Sequence, residues 1–360
     1  MIRMNYIDIL QAINNILTEK KIATDLSDLF LQHKCYYLLS LLSLTQVQKN
    51  KLDMIIAMNE LSQKTKYLCL EKIFKIMANE DYAIVKGAVF AKTAYFQPSM
   101  RSSLDIDFLI HPSQITRIKD IFLRNGFVQG YIKGDKIIPY QREEALFYAC
   151  KSHQTAPFVA PTGNQLSPFV SVDLNFRIIW GESEKEIDMD FVLSETEKDI
   201  IYGQAIKKLS PEMEFIHLCL HHYKDLNSIY LISKKGIQLS LFSDIFFYII
   251  HTDLDIAKTI CISEKLEVSE YIYYCLFYCS KIFSHSKLDE LILNYNPFFN
   301  EGLINSYGLH ETERKKWTFD FFDRLFLEDF TQKFVKTLND TEKEKIELNK
   351  KFLSHNISAQ

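Results

Sequence analysis

Along the first eighty positions, apolar residues recur at three- and four-residue spacing in "DILQAINNILTEKK", "LSDLFLQHKCYYLLSLLSL" and "QKTKYLCLEKIFKIMANE". That period predicts helices, the last of them long. No Pro precedes Pro98 and no Gly precedes Gly87, consistent with an unbroken helical block. From residue 82 the texture changes. "YAIVKG" reads as a short buried strand ended by Gly87, "AVFAKTAYF" as a helix packed on it, and "LDIDFLIH" as a second strand. "SQITRIKDIFLRNGF" predicts a helix with Ser113 as N-cap and Gly126 at its stop. "ALFYACKS" and "FVSVDLNFRIIW" read as further strands flanking "HQTAPFVAPTGNQLSP", a Pro-containing loop. Beyond residue 205 the helical period returns, with Ser210 as N-cap and Pro211 at the first helical position. The apolar runs "GIQLSLFSDIFFYII" and "VSEYIYYCLFYCSKIFS" are two more helices, and the charged tail "LNDTEKEKIELNKKFLSHNISAQ" is expected to fray.

The expected organisation is a helical region over 1–80, an α/β core over 81–205 and a helical domain over 206–360. The fold class is α/β (α+β), a small mixed sheet flanked by helices. At 360 residues, 47% hydrophobic and 24% charged, the composition is that of a globular protein with room for more than one core. A net charge of -4 offers no broad basic field for nucleic acid. Seven scattered cysteines without a CxxC pair read as reduced core thiols and not as a disulfide or zinc framework. The early Asp8 does not suit a signal peptide, and the apolar helices are too short to span a membrane, with Asp244 interrupting the first. A cytoplasmic protein is expected.

The chemistry concentrates in "KGAVFAKTAYFQPSMRSSLDIDFLI". Side chains alternate along a strand, so Asp105 and Asp107 share a face, roughly 7 Å apart. Two like charges on an apolar strand need basic partners or a divalent cation. In "FVSVDLNFRI", Val170, Val172, Leu174 and Phe176 make an apolar face, and Ser171, Asp173, Asn175 and Arg177 a polar one. If the two strands are neighbours, three carboxylates converge, as metal-assisted phosphoryl chemistry requires. Gly87 permits a tight turn at which phosphate meets backbone N–H groups, and Lys86 supplies a point charge. No P-loop pattern is present.

These residues resemble the Lys-Gly, Arg and Asp-x-Asp block of the uncharacterised bacterial nucleotidyltransferases, a branch of the DNA polymerase β-like superfamily. "SVDLNFRI" is similar to the family's third-carboxylate strand. "LSPEMEFIHLCLHHYKDL" with the following "SDI" is similar to its C-terminal helices, so that the resemblance covers about residues 80–250. It implies a nucleotidyltransferase core with Asp105, Asp107 and Asp173 as catalytic, metal-holding carboxylates for Mg2+ or Mn2+. It also implies NTP phosphates at Lys86, Gly87 and Arg101. Gly87-Ala88 stands where the superfamily has Gly-Ser, and Asn175-Phe176 where the family has His-Trp.

The expected reaction moves an NMP from an NTP onto an acceptor hydroxyl and releases pyrophosphate. The charge balance favours a small-molecule acceptor, with a protein or tRNA end, as in toxin-like relatives, as the alternative. A noncatalytic nucleotide-binding protein and a phosphohydrolase are the rival readings. Arg101 serves either as phosphate ligand or as structural counter-ion. His217 and His221 share a helical face without an HExxH pattern, which favours packing over a metal role. The resemblance raises His221 and Asp244 as a contact pair or acceptor-site wall.

Overall fold

The computed structural model describes residues 6–19 and 25–353 of the chain. It divides into two compact units: residues up to Ile55 with Leu218–Ile346, and Ile56–His217 with the residues from Glu347 onward. The boundaries fall inside three continuous helices, Gln46–Cys69, Pro211–Asn227 and Asp340–Leu353. Among the described residues no helix is long and apolar enough to cross a membrane.

The first unit is helical apart from a two-stranded ladder of Ser306–Tyr307 and Lys315–Lys316. Its core is rich in aromatic rings, including the fully buried Tyr223, Tyr271, Tyr274 and Tyr295.

The second unit is built on a mixed eight-stranded sheet. Its strands are β1 (Tyr82–Val85), β2 (Asp105–Ile110), β3 (Val128–Lys133), β4 (Lys136–Pro139), β5 (Phe158–Pro161), β6 (Phe169–Asn175), β7 (Thr196–Ile201) and β8 (Gln204–Leu209). They lie in the order β4-β3-β5-β6-β2-β1-β8-β7. The β2–β6 and β1–β8 pairs are parallel and the others antiparallel. Strand alternation decides the two faces. Tyr82, Ile84, Ile106, Phe108, Ile110, Val170, Val172 and Leu174 turn to one core, closed by Tyr67, Leu70, Ile73, Phe74, Ile118 and Phe122 from flanking helices. Phe108 stacks on Phe74 at 5.8 Å and meets Phe122 edge-on at 5.5 Å. A buried Phe in such a cluster is worth about 3–5 kcal/mol against truncation to Ala. The opposite face of β2 and β6 is left with Asp105, Asp107, Ser171, Asp173 and Asn175.

The mixed α/β class holds, but the sheet is larger than expected and several elements differ. "ALFYACKS" is the end of a helix, Arg142–Lys151, and not a strand. Gln141 and Glu144 form a reciprocal capping box that starts it, a signal the apolar run masked. The Pro-containing loop harbours β5, whose four residues are too few to show a period; Pro157 precedes it and Pro161 ends it, opposite Phe169, without interrupting its ladder. The β3–β4 and β7–β8 hairpins add four strands, turning at Gly134 and at Tyr202-Gly203, all with positive φ. Ser113 lies in a short 3-10 turn, so the next helix starts at Ile115, while Gly126 does follow its end with φ +86°. The expected long helix is two, Gln46–Cys69 and Glu71–Met77, parted at Leu70. The tail is a helix over Asp340–Leu353, begun by reciprocal hydrogen bonds between Asn339 and Glu342. The remainder of that segment lies outside the described residues.

Candidate active site

The parallel pairing of β2 with β6 sets Asp107 opposite Asp173 and Asp105 opposite Ser171. On the other side of β2, Val85 pairs with Asp107, so the end of β1 opens beside the carboxylates. There the chain turns through two consecutive residues of positive φ, Lys86 at 58° and Gly87 at 48°. Such a backbone costs a residue with a Cβ roughly 1–2 kcal/mol, which Gly87 escapes and Lys86 does not. A Cβ on Gly87 would also meet Ser103 Oγ at 3.0 Å. The helix Gly87–Tyr95 starts from this turn.

Lys86 Nζ reaches Asp107 Oδ1 at 2.9 Å, the carboxylate buried and the lysine largely so. Asn175, one further step along the same face of β6, donates from Nδ2 to the same Asp107 oxygen at 3.1 Å. Gln154 donates from Nε2 to Asp173 Oδ2 at 2.6 Å. From helix Gln46–Cys69, the buried Lys66 donates to Ser103 O at 2.9 Å, and Ser103 Oγ donates to Asp105 O at 2.7 Å.

The charges are unequal. Burial pushes the Asp173 carboxyl well above the usual carboxylate range, and Asp105 and Asp107 push it further, against the hydrogen bond from Gln154. Burial and Asp107 likewise raise Asp105, offset in part by Lys86 and Lys66. At Asp107 burial acts upward too, but Lys86, then Asn175 and His217, outweigh it and hold the carboxyl low. Burial lowers Lys66 against the pull of Asp105, whereas the three carboxylates hold Lys86 above its ordinary value despite its burial. One buried cation therefore faces three carboxylates most directly, and the set is short of positive charge.

Two further features fit a cation with bound water. Asn175 Oδ1 and Gln63 Oε1 are buried acceptors with no donor among the described residues. The orientation of each amide follows from its Nδ2 or Nε2 donating to Asp107 Oδ1 or to Arg101 O. Among the described residues no three His, Cys, Asp or Glu side chains are grouped so as to hold a metal ion by themselves. Magnesium commonly takes only one or two carboxylates and fills its octahedron with water and phosphate oxygens. The donor set, all oxygen, is of the right kind.

Two recesses adjoin the carboxylates. One runs under the turn between Lys86, Gly87, Ser103, Asp105 and Asp107, with Gln63 on its wall. The other, a cleft of about 310 Å3, opens beside Asp105 and Asp173, with Tyr131, Val159, Leu166 and Phe169 among its apolar walls.

Asp105, Asp107, Asp173, Lys86 and Gly87 thus fall together, and the Arg101 guanidinium lies 5.5 Å over the ring of Phe90 on the helix that starts at Gly87. His221 and Asp244 belong to the first unit, where the buried Asp244 has its Oδ2 3.2 Å from His222 Nε2. The His221 ring lies 5.6 Å from that of His222. Sequence reasoning missed Lys66, Gln154 and Gln63. Lys66 and Gln63 sit inside a helix read only for its period, and Gln154 sits in the supposed loop. Asn175 was legible as one more position on the polar face of β6.

Residues 31–284, well over half of the chain, match a family model described as uncharacterised nucleotidyltransferase. Comparison with curated proteins gives no match.

Proposed function

The chain belongs to this uncharacterised nucleotidyltransferase family, and on that premise we propose that it is a magnesium-dependent enzyme. It would move an NMP from an NTP onto an acceptor hydroxyl and release pyrophosphate, with Mn2+ able to stand in for Mg2+. The observation that carries the reading is the β2–β6 register, which brings Asp107 and Asp173 face to face with Asp105 beside them.

Asp105, Asp107 and Asp173 are the residues that would hold the cation, which when bound supplies neutralisation of the triphosphate and of charge developing on the leaving pyrophosphate. The phosphates bind at the Lys86-Gly87 turn, where the first N–H groups of helix Gly87–Tyr95 have no partner within the helix. Ser103 Oγ lies at that turn, where Ala88 replaces the Ser of the related pattern, and would have to give up its hydrogen bond to Asp105 O to donate to a phosphate. Lys86, now held by Asp107 Oδ1 at that turn, would supply a point charge to the phosphates. Gln154 occupies Asp173 Oδ2 and leaves Oδ1 to take the proton of the acceptor hydroxyl. Positioning and charge neutralisation supply most of the rate.

The acceptor is a small molecule seated in the cleft between β3, β5 and β6. Its volume of about 310 Å3 lies at the lower end of small-molecule sites. The chain's -4 charge adds no general attraction for nucleic acid.

Incubation with each α-labelled NTP and a panel of hydroxylated acceptors, with Mg2+, tests the reading. Label transfer with stoichiometric pyrophosphate is expected, and Asp107→Asn should reduce it by roughly a hundredfold or more. Release of orthophosphate alone would indicate a hydrolase, and turnover of neither kind a nucleotide-binding protein.

A further inference from the structure

The first unit contains a further, unrelated recess. It is a cavity of about 1040 Å3 between helix Ser269–Ser280, the segment 301–305 and residues 316–324. At its wall Arg324 is only 4% exposed. Its guanidinium carbon lies 4.4 Å from the Trp317 ring centroid, 5.0 Å from that of Tyr278 and 5.5 Å from that of Phe321. Of its five N–H donors, Nη2 donates to Tyr278 Oη at 3.0 Å and Nε to Asp320 O at 3.3 Å. Among the described residues no carboxylate pairs with it.

A guanidinium buried without a counter-charge is costly, and cation–π contacts offset only part of that cost. A second group at the same wall is also unsatisfied: the buried indole N–H of Trp317 has no acceptor among the described residues. Lys281 and Lys316 add two exposed cations at the cavity, against Glu301 and Asp320. Phe277, Phe319 and Phe322 supply flat apolar walls.

From this we infer that the cavity is a binding site for a small planar aromatic carboxylate. The ring lies against the aromatic walls, and the carboxylate accepts hydrogen bonds from the Arg324 guanidinium, with the two lysines supplying further positive charge. Arg and aromatic rings together select such a ligand by charge and by flatness, where either alone would select only one property. No residue of the three-aspartate site contributes, so the inference stands or falls independently of nucleotidyl transfer.

The test titrates the full-length protein with 1-naphthoate and with its uncharged analogue 1-naphthamide, by calorimetry and by tryptophan emission. Naphthoate should bind saturably and at least tenfold more tightly than the amide. Its emission change should disappear in Trp317→Phe, which leaves Trp180 as the remaining indole. Arg324→Gln should weaken naphthoate at least tenfold. Should that variant fail to fold, Lys281→Gln/Lys316→Gln, altered only at exposed positions, must weaken naphthoate and leave the amide unchanged. No binding at millimolar naphthoate, equal affinity for acid and amide, or unchanged affinity in the folded Arg324 variant would overturn the inference. Arg324 would then be a clamp between packed rings.

Discussion

Asp173 is buried with Asp105 and Asp107 as the charges that most oppose its ionisation, and Gln154 as the hydrogen bond that favours it. Replacing it by Asn removes a repelled charge and keeps an acceptor for the Gln154 N–H. Without divalent cation, Asp173→Asn should therefore be more stable than the wild type by about 1 kcal/mol, a rise of roughly 2–4 °C in Tm. The same variant should lose nucleotidyl transfer, a trade of function for stability common at strained sites. Thermal unfolding in chelator checks the first half, and a fall in Tm there would mean that the three carboxylates do not repel one another. At this scale the sequence was readable where alternation alone fixes direction: Asp105 with Asp107, and Asp173 with Asn175. Lys66 and Gln154 were not readable, because each reaches the site from an element whose local pattern carries no trace of the distant carboxylate it serves.

The turn between β1 and helix Gly87–Tyr95 joins strand geometry to the proposed phosphate site. Gly87→Ala places a Cβ at φ +48° and 3.0 Å from Ser103 Oγ, so both backbone and neighbour must shift. The expected loss is roughly 1–2 kcal/mol of stability. A larger effect is expected on NTP binding, weakened at least tenfold because the first-turn N–H groups move with the turn. Isothermal titration with NTP and Mg2+ decides: lowered stability with unchanged NTP affinity would separate this turn from the phosphates. Element identity was legible wherever a pattern ran long enough, as in β2, β6 and the apolar helices. It failed where competing local signals decided the outcome. The capping box Gln141/Glu144 outweighed a strand-like apolar run. Tertiary pairing with β6 and β3 made a strand of four residues bounded by prolines.

Across the whole chain, two compact units each carry a core and an unusual concentration of buried charge. In the second unit the imbalance is negative, three carboxylates against Lys86 and the more weakly basic Lys66. In the first, Arg324 is buried among aromatic rings, while the buried Asp225, Asp244 and Glu342 each have a basic partner. The family match covers parts of both units, from residue 31 to residue 284. The sheet was legible as mixed but not in its extent, because hairpins such as β7–β8 show short, partly exposed runs with little apolar contrast. The central claim is that the carboxylates on β2 and β6 form a site for a cation together with an NTP. Thermal unfolding of the full chain with each NTP, with and without Mg2+, for wild type and Asp105→Asn/Asp107→Asn, tests it most directly. An NTP at a hundred times its Kd should stabilise the wild type by about 2.7 kcal/mol, only with Mg2+, and leave the variant unmoved. An equal shift in the variant, or none in the wild type at millimolar NTP, would contradict the claim.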